Sequence, residues 1–185
     1  MDDLRTDRMR LVASTPELVR AEIEDRVLFG RLLGARIPDA WPTDEAADAL
    51  PWFLDRLERA DPRDIGWYGY YGIVVTGIED APVLVGGGGC LGPPADGDVE
   101  IGYSVLPAYQ RRGYATEMMS AIVDWVRQDP RVVRITADTA TDNAPSRSLL
   151  SRLGFAEAGP GSEPDSLLYV RSPDAALPSG DAAGR

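Results

Sequence analysis

Apolar residues recur along this chain at two spacings, which separate predicted strands from predicted helices. Alternating or β-branched runs predict strands at residues 8–13, 67–76, 82–91, 99–106, 131–137, 154–155 and 167–171, with a turn at residues 77–80. Spacings of three and four residues predict a helix that begins at residue 15 and further helices at residues 43–59, 115–127 and 143–153. The order of these elements indicates an α+β, or mixed α/β, domain.

The first predicted helix carries clear start signals. Thr15 is a suitable N-cap and Pro16 follows it in the first helical turn. Val19, Ile23 and Val27 then recur at four-residue spacing. This spacing predicts one continuous apolar face on a single helix.

The composition changes near the end of the chain. From Ser172 onward the sequence loses its apolar periodicity and contains several Pro and Gly residues. No internal repeat divides the part before it. We expect a single domain over residues 8–171 and a flexible tail over residues 172–185.

Missing residue types restrict the chemistry. The chain has 185 residues, no His and one Cys, and all 19 of its basic residues are Arg. A Ser-His-Asp or Cys-His nucleophile, a His-ligated metal and a lysine Schiff base are therefore excluded. Cys90 lies in an apolar run, which favours a packed thiol over a nucleophile, and we expect no metal site.

The net charge of −11 affects the choice of partner. A strongly acidic protein repels nucleic acid and attracts cations such as amines. The polar, acidic start and the lack of a long apolar run predict no signal peptide and no membrane span. We therefore expect a cytoplasmic protein that binds neither nucleic acid nor membranes.

The most informative segment is a strand followed by a short loop and a helix. The loop and the helix start read Gln110, Arg111, Arg112, Gly113, Tyr114, Ala115 and Thr116. Backbone N–H groups and the positive end of the helix dipole meet there, which predicts a phosphate or pyrophosphate site. Arg111 and Arg112 add positive charge, although both could be no more than solvated side chains.

This segment resembles a known signature. The run from Gln110 to Ala115 is similar to the Q/R-x-x-G-x-G/A motif of the GNAT superfamily of acyl-CoA-dependent N-acyltransferases. The later block from Asn143 to Ser146, with the Leu-Gly-Phe run that ends at Phe155, resembles the family's next block. Its Asn-x-x-Ser pattern is similar to the branch that acetylates the N-termini of ribosomal proteins. The resemblance covers residues 8–171.

The resemblance implies a fold and a co-substrate. The fold is a mostly antiparallel twisted sheet of about six to seven strands flanked by about four helices, with a cleft between the fourth and fifth strands. Acetyl-CoA is the implied co-substrate, with its pantetheine arm beside Val105 and Leu106 and its pyrophosphate on the amides of the loop. Asn143 and Ser146 are implied contacts to the pantetheine or the 3′-phosphate. Asn143 is otherwise an ordinary N-cap, and Ser146 otherwise only satisfies a first-turn amide.

The family's reaction is direct attack of an amine on the thioester in a ternary complex. Alternation places Glu100, Gly102 and Ser104 on one face of their strand, and Glu100 matches a position where relatives carry the general base. Burial is expected to raise its pKa, and the alternative is a solvated or paired carboxylate. Relatives often use a Tyr to protonate the leaving thiolate, but Leu150 occupies that position, so Ser146 or water is the remaining acid.

A glycine run and two sets of side chains remain, and both sets concern the acceptor. The glycine run at residues 86–89 is not followed by Gly-Lys-Ser/Thr, so we interpret it as part of a strand in which small residues allow a bulge or the close approach of a ligand, rather than as a phosphate loop. Aromatic residues that either line an acceptor cleft or pack in the core are Trp41, Trp52, Trp67, Tyr68, Tyr70 and Tyr71. Acidic residues on the early helices, which favour a cationic acceptor, are Glu22, Glu24, Asp25, Asp44 and Glu45.

The sequence therefore favours an N-acetyltransferase that acts on a primary amine, either a protein or peptide N-terminus or a small molecule. The alternatives are a non-catalytic acyl-CoA-binding sensor or interaction module, and a transferase of a longer acyl group. The oligomeric state stays open, a homodimer included, because apolar residues near Leu167 suit either a core or an interface.

Overall fold

The computed structural model describes residues 3–75 and 81–175. The strands are β1 (Leu4–Arg5), β2 (Met9–Ala13), β3 (Tyr70–Val74), β4 (Val83–Cys90), β5 (Asp98–Val105), β6 (Arg134–Ala140), β7 (Ala156–Pro160) and β8 (Ser166–Arg171). The α-helices are α1 (Pro16–Glu24), α2 (Arg26–Leu33), α3 (Asp44–Arg59), α4 (Tyr114–Val126) and α5 (Ala144–Arg152), with 3-10 helices at Pro62–Tyr68 and Pro107–Tyr109. The predicted turn at residues 77–80 lies outside the described residues, as does most of the predicted tail.

These elements confirm the predicted α+β class. The described part of the chain has eight strands rather than the expected six to seven, because the short β1 pairs with β2 through Leu4 and Arg5. Strand pairs β1–β2, β2–β3, β3–β4, β6–β8 and β7–β8 are antiparallel, whereas β5 and β6 are parallel. None of the helices in the described ranges is long and apolar enough to cross a membrane.

The chain folds into two compact units. The first comprises Met1–Pro93 and Gly102–Ile122, and the second comprises Pro94–Ile101 and Val123–Arg185. Strand β5 and helix α4 each contribute residues to both units. The single domain predicted over residues 8–171 stays a prediction.

In the first unit the strand order is β1, β2, β3, β4 and β5. Gly72 pairs with Gly86 whereas Ile73 pairs with Leu84, so Val85 is an extra residue in β4. The predicted bulge in this glycine-rich strand is therefore confirmed. The carbonyl of Val85 accepts a hydrogen bond from the Leu106 amide at 2.9 Å, which fixes the chain just beyond β5.

The start of the first helix is as predicted, but its continuation is not. The side chain of Thr15 caps α1 by accepting a bond from the Leu18 amide at 3.2 Å. Asp25 then ends α1 and caps α2, so the predicted single helix is interrupted. Val19 is buried, whereas Ile23 is 46% and Val27 69% exposed. The predicted apolar face was wrong for these two residues, because the break at Asp25 ends the four-residue repeat.

The strand predicted at residues 67–76 begins later than expected. Trp67 and Tyr68 belong to the 3-10 helix Pro62–Tyr68, whose start is capped by the Asp61 side chain. Gly69, at φ 96°, ends this helix and lets the chain enter β3 at Tyr70. The residues of β3 are all buried, which makes this strand a central part of the first unit's core.

In the second unit the strand order is β5, β6, β8 and β7. The parallel register of β5 and β6 pairs Asp98–Glu100 with Arg134–Thr136. These are the fourth and fifth strands of the predicted sheet, and the cleft between them stays a prediction. The strand predicted at residues 131–137 begins only at Arg134, since Val132 first makes a turn back to the carbonyl of Asp129 at 3.0 Å. The strand predicted at residues 154–155 is displaced to β7.

Candidate active site

The loop between β5 and α4 is built by local hydrogen bonds. Leu106 is buried, and the Tyr109 amide donates to its carbonyl at 2.8 Å in a 3-10 turn. The Gln110 side-chain amide donates to the carbonyl of Val105 at 2.9 Å. Gln110 therefore closes the loop back onto the last residue of the strand.

Two residues in this loop have positive φ angles. Arg111 lies at φ 59° and Gly113 at φ 82°. A left-handed conformation is uncommon for a residue with a side chain, so Arg111 stores local backbone strain of about 1 kcal/mol. This pair of left-handed residues turns the chain sharply into α4.

Helix α4 begins directly after the turn. Its first internal bond runs from the Glu117 amide to the carbonyl of Gly113 at 3.0 Å. The amides of Tyr114, Ala115 and Thr116 lie in the first turn, where N–H groups have no acceptor within the helix. These donors and the positive helix end suit a phosphate group, as the sequence predicts.

The loop is anchored by Arg8, which sequence reasoning did not single out. One terminal nitrogen of Arg8 donates to the carbonyl of Arg112 at 3.0 Å, and its Nε donates to Glu117 at 2.7 Å. Its guanidinium also lies 4.6 Å from the centre of the Tyr114 ring. No local signal identifies Arg8, because its partners lie a hundred residues further along the chain. These contacts of Arg8 fix the carbonyl of Arg112 in the turn and the side chain of Glu117 at the start of α4.

Glu117 is the acidic member of this anchor. Its carboxylate accepts bonds from the Thr6 hydroxyl and from the Arg8 amide at 2.9 Å. Burial raises the pKa of Glu117, but the hydrogen bonds from Thr6 and Arg8 and the charge of Arg8 outweigh burial, so the net pKa is lowered. Glu117 is therefore anionic at neutral pH. Arg111 and Arg112 remain exposed on the loop.

Glu100 lies on β5 in the second unit and is exposed. Partial burial raises its pKa, and repulsion from Asp138 raises it further. The predicted direction of this pKa shift is confirmed. Asp138 itself accepts hydrogen bonds from the amide and hydroxyl of Ser162.

Asn143 and Ser146 are joined at the start of α5. The Asn143 side-chain oxygen accepts a bond from the Ser146 amide at 3.1 Å, so Asn143 is an N-cap in this structure. Ser146 is half-buried in the first turn of the helix. Leu150 is fully buried, and its aliphatic side chain has no proton to donate.

A separate cavity of about 280 Å³ lies within the first unit. The aromatic residues predicted for the acceptor that line it are Trp41, Tyr68, Tyr70 and Tyr71. Trp52 and Trp67 are not among the lining residues. Sequence reasoning did not single out Tyr103 for this wall, although it lies on β5 beside predicted site residues.

The glycines of β4 form part of the cavity wall and allow close backbone contacts. A Cβ atom on Gly86 would lie 3.0 Å from Cα of Val105 and closer still to the Ser104 carbonyl oxygen. A Cβ on Gly88 would lie 2.8 Å from Cβ of Tyr103. These glycines therefore allow β5 to approach β4 closely, whereas the predicted close approach of a ligand stays a prediction.

Cys90 and Glu22 are the chemically notable side chains of the cavity. Burial raises the pKa of the Cys90 thiol far above neutrality, so the thiol is not a nucleophile. Glu22 accepts a bond from the Trp41 indole N–H at 2.7 Å and from the Tyr71 hydroxyl at 2.6 Å. The sequence identified Glu22 only as one of several acidic residues, since nothing local marks it as facing a cavity.

Comparisons with known proteins identify the family of this chain. The acetyltransferase (GNAT) domain family matches residues 8–156. An uncharacterized N-acetyltransferase of Bacillus subtilis (strain 168), YjdG, is 30% identical over 169 residues, which are 90% of this chain and 97% of that protein. The chain therefore belongs to the GNAT acetyltransferase family. It is an acyltransferase, and members of its family transfer an acetyl group from acetyl-CoA to an amine.

Solved structures share the fold. The ribosomal-protein-S5-alanine acetyltransferase of Vibrio fischeri has a TM-score of 0.61 at 17% identity, covering 94% of this chain and 98% of that one. RimL, a ribosomal L7/L12 α-N-protein acetyltransferase solved with coenzyme A, has a TM-score of 0.60 at 16% identity, covering 92% of this chain and 98% of its own. At these identities the likeness concerns the fold.

Proposed function

We propose that the protein transfers an acetyl group from acetyl-CoA directly to a primary amine in a ternary complex. The acceptor is a protein or peptide N-terminus or a small-molecule amine. The observation that carries the proposal is the start of α4, where the first-turn amides follow a turn anchored by Arg8 and Glu117.

In this proposal the pyrophosphate of acetyl-CoA is bound by the loop amides, with Arg111 and Arg112 supplying positive charge. Val105 and Leu106 hold the pantetheine by main-chain hydrogen bonds, and Asn143 and Ser146 contact the cofactor from α5. Acetyl-CoA supplies an activated thioester carbonyl. The residues of the chain position the reactants and move protons.

The proton balance assigns two further roles. The amine nitrogen forms a bond to the acetyl carbon, its surplus proton leaves, and the bond from that carbon to sulfur breaks. Glu100 is the proposed base, acting directly or through water, and its raised pKa makes it a stronger base than an ordinary carboxylate. Ser146 or water protonates the leaving thiolate, because Leu150 offers no donor.

The test has two parts. The purified protein is melted with increasing acetyl-CoA, free CoA or ATP, and CoA release from acetyl-CoA is then followed with a panel of amines. Acetyl-CoA near 100 times its Kd adds about 2.7 kcal/mol of stability, a rise on the order of 5 to 10 °C. A saturable shift with both CoA compounds, little shift with ATP, and amine-dependent CoA release support the proposal. Binding without CoA release from any amine contradicts it.

A further inference from the structure

The cavity of the first unit contains one strong electrostatic feature. Among the described residues that line it, Glu22 is the sole carboxylate, and none is an Arg. Burial raises the pKa of Tyr70, Tyr71 and Cys90, so these groups are neutral near pH 7. Any charge that the cavity wall carries at neutral pH is therefore negative and comes from Glu22.

The Glu22 carboxylate is held in a defined orientation. Trp41 and Tyr71 each donate to a different carboxylate oxygen, at 2.7 and 2.6 Å. An indole N–H can only donate, so this contact requires an oxygen that accepts. Each carboxylate oxygen keeps a further lone pair for another donor. The side chain is thus oriented by two neutral groups and has acceptor capacity left.

The energetics of Glu22 favour a cation as its next partner. Burial raises the pKa of Glu22, and the bonds from Tyr71 and Trp41 offset this only in part. A partly buried carboxylate with neutral partners is desolvated without a compensating charge. An ammonium group that enters the cavity supplies both that charge and N–H donors.

The remaining wall restricts the rest of the ligand. The apolar and aromatic residues that line the cavity include Val19, Leu50, Phe53, Leu91, Trp41 and Tyr103. The volume of about 280 Å³ is at the small end of ligand sites. An anionic group on the ligand would be repelled by Glu22, and none of the described lining residues is an Arg that could pair with it.

Resting on the proposed function, we propose that this cavity is the acceptor site for a small, apolar primary amine, and that Glu22 binds its ammonium group. Trp41 and Tyr71 are positioning residues that orient the carboxylate. The acceptor carries an aliphatic or aromatic substituent and no carboxylate of its own. A peptide N-terminus is the competing acceptor that the experiment separates.

The experiment uses 2-phenylethylamine as the probe amine. Phenylalanine, which adds a carboxylate to the same skeleton, and the dipeptide amide Phe-Ala-NH2 are compared with it. Binding is measured by calorimetry in the presence of CoA, and transfer is measured by CoA release from acetyl-CoA. We expect 2-phenylethylamine to bind at least tenfold more tightly than phenylalanine. Tighter binding or faster acetylation of the dipeptide amide would overturn the small-amine assignment.

Glu22→Gln is the central variant, because it keeps the size of the side chain and removes the charge. Loss of a charge-assisted bond predicts a ten- to hundredfold rise in the Kd and KM for 2-phenylethylamine. The affinity for acetyl-CoA is expected to stay unchanged. Glu17→Gln, at an exposed position of the same helix, is the matched control and is expected to change neither value.

The outcomes separate this inference from the proposed function. Equal amine affinity in wild type and Glu22→Gln, or no measurable binding of the probe to wild type, overturns the inference. CoA release with other amines would at the same time leave the proposed function standing. If acetyl-CoA does not raise the melting temperature of the wild-type protein, the proposed function is contradicted instead. The melting curve of the Glu22→Gln protein verifies that this variant is folded.

Discussion

Replacing Glu117 by Gln tests whether the anchor under the phosphate loop stabilises both the fold and the co-substrate site. Glu117 is 18% exposed and accepts hydrogen bonds from Thr6 and Arg8, and its partner Arg8 is 41% exposed. The substitution keeps the shape of the side chain, but it removes the charge and places an NH2 group opposite donors. Charge-assisted bonds contribute about 1.5–3 kcal/mol, which solvent screening at Arg8 reduces to about 1–2 kcal/mol here.

For a chain of this length that loss lowers Tm by about 3–6 °C at pH 7. The pH dependence gives a second readout. The pKa of Glu117 is lowered on folding from its ordinary value of 4.5, so its stabilisation is present above that value and is lost as pH falls through the folded-state pKa. The stability difference between wild type and Glu117→Gln is therefore expected to shrink below pH 4.5.

The assay is urea unfolding at pH 7 and at several acidic pH values, with acetyl-CoA titration at pH 7. Asp124→Asn is the control, since it removes an exposed pair with Arg127 on the same helix and is expected to change stability by less than 0.5 kcal/mol. Freeing Arg8 from Glu117 also loosens the carbonyl of Arg112, so acetyl-CoA is expected to bind severalfold more weakly to Glu117→Gln. Equal stability at pH 7, or a difference that does not change with pH, would refute this reasoning.

Three further predictions concern the sheet, the base and the loop. Gly86→Ala should lose about 2–3 kcal/mol in urea unfolding, because its Cβ would press on the backbone of β5, whereas Gly102→Ala, with an ordinary contact at 3.8 Å, should not lose stability. Glu100→Gln should lower kcat for CoA release at least tenfold without changing the acetyl-CoA melting shift. Arg111→Gly should relieve left-handed strain and cost less stability than Arg112→Gly, measured by thermal melting.

Each of these has a contrary result. Equal stability of Gly86→Ala and Gly102→Ala would show that the two strands separate without cost. An unchanged kcat in Glu100→Gln would remove Glu100 as the base, while a lost melting shift would make it a binding residue. A larger loss in Arg111→Gly than in Arg112→Gly would show that the Arg111 side chain outweighs its backbone strain.

Local patterns were sufficient for much of the fold. The Thr15 and Pro16 start of α1, helix α3 and the strand-loop-helix segment around Gly113 were all predicted from neighbouring residues. These features depend on caps, backbone preferences and periodicity, which act over one or two turns. The break at Asp25 was missed because periodicity treats Asp25 as an ordinary polar position of one helix. It does not distinguish that position from the N-cap of a second helix.

The sequence by itself determined the excluded chemistries, because the absence of His and Lys is a property of composition. It also determined the family signature, because the run from Gln110 to Ala115 is a property of local residue order. Only the tertiary structure decided which distant residues support that signature. The tertiary fold brings Arg8, just before β2, to Glu117 on α4, and the packing of α1 brings Glu22 to Trp41 and Tyr71. Such contacts depend on sheet register and helix packing, which no periodicity within a single segment encodes.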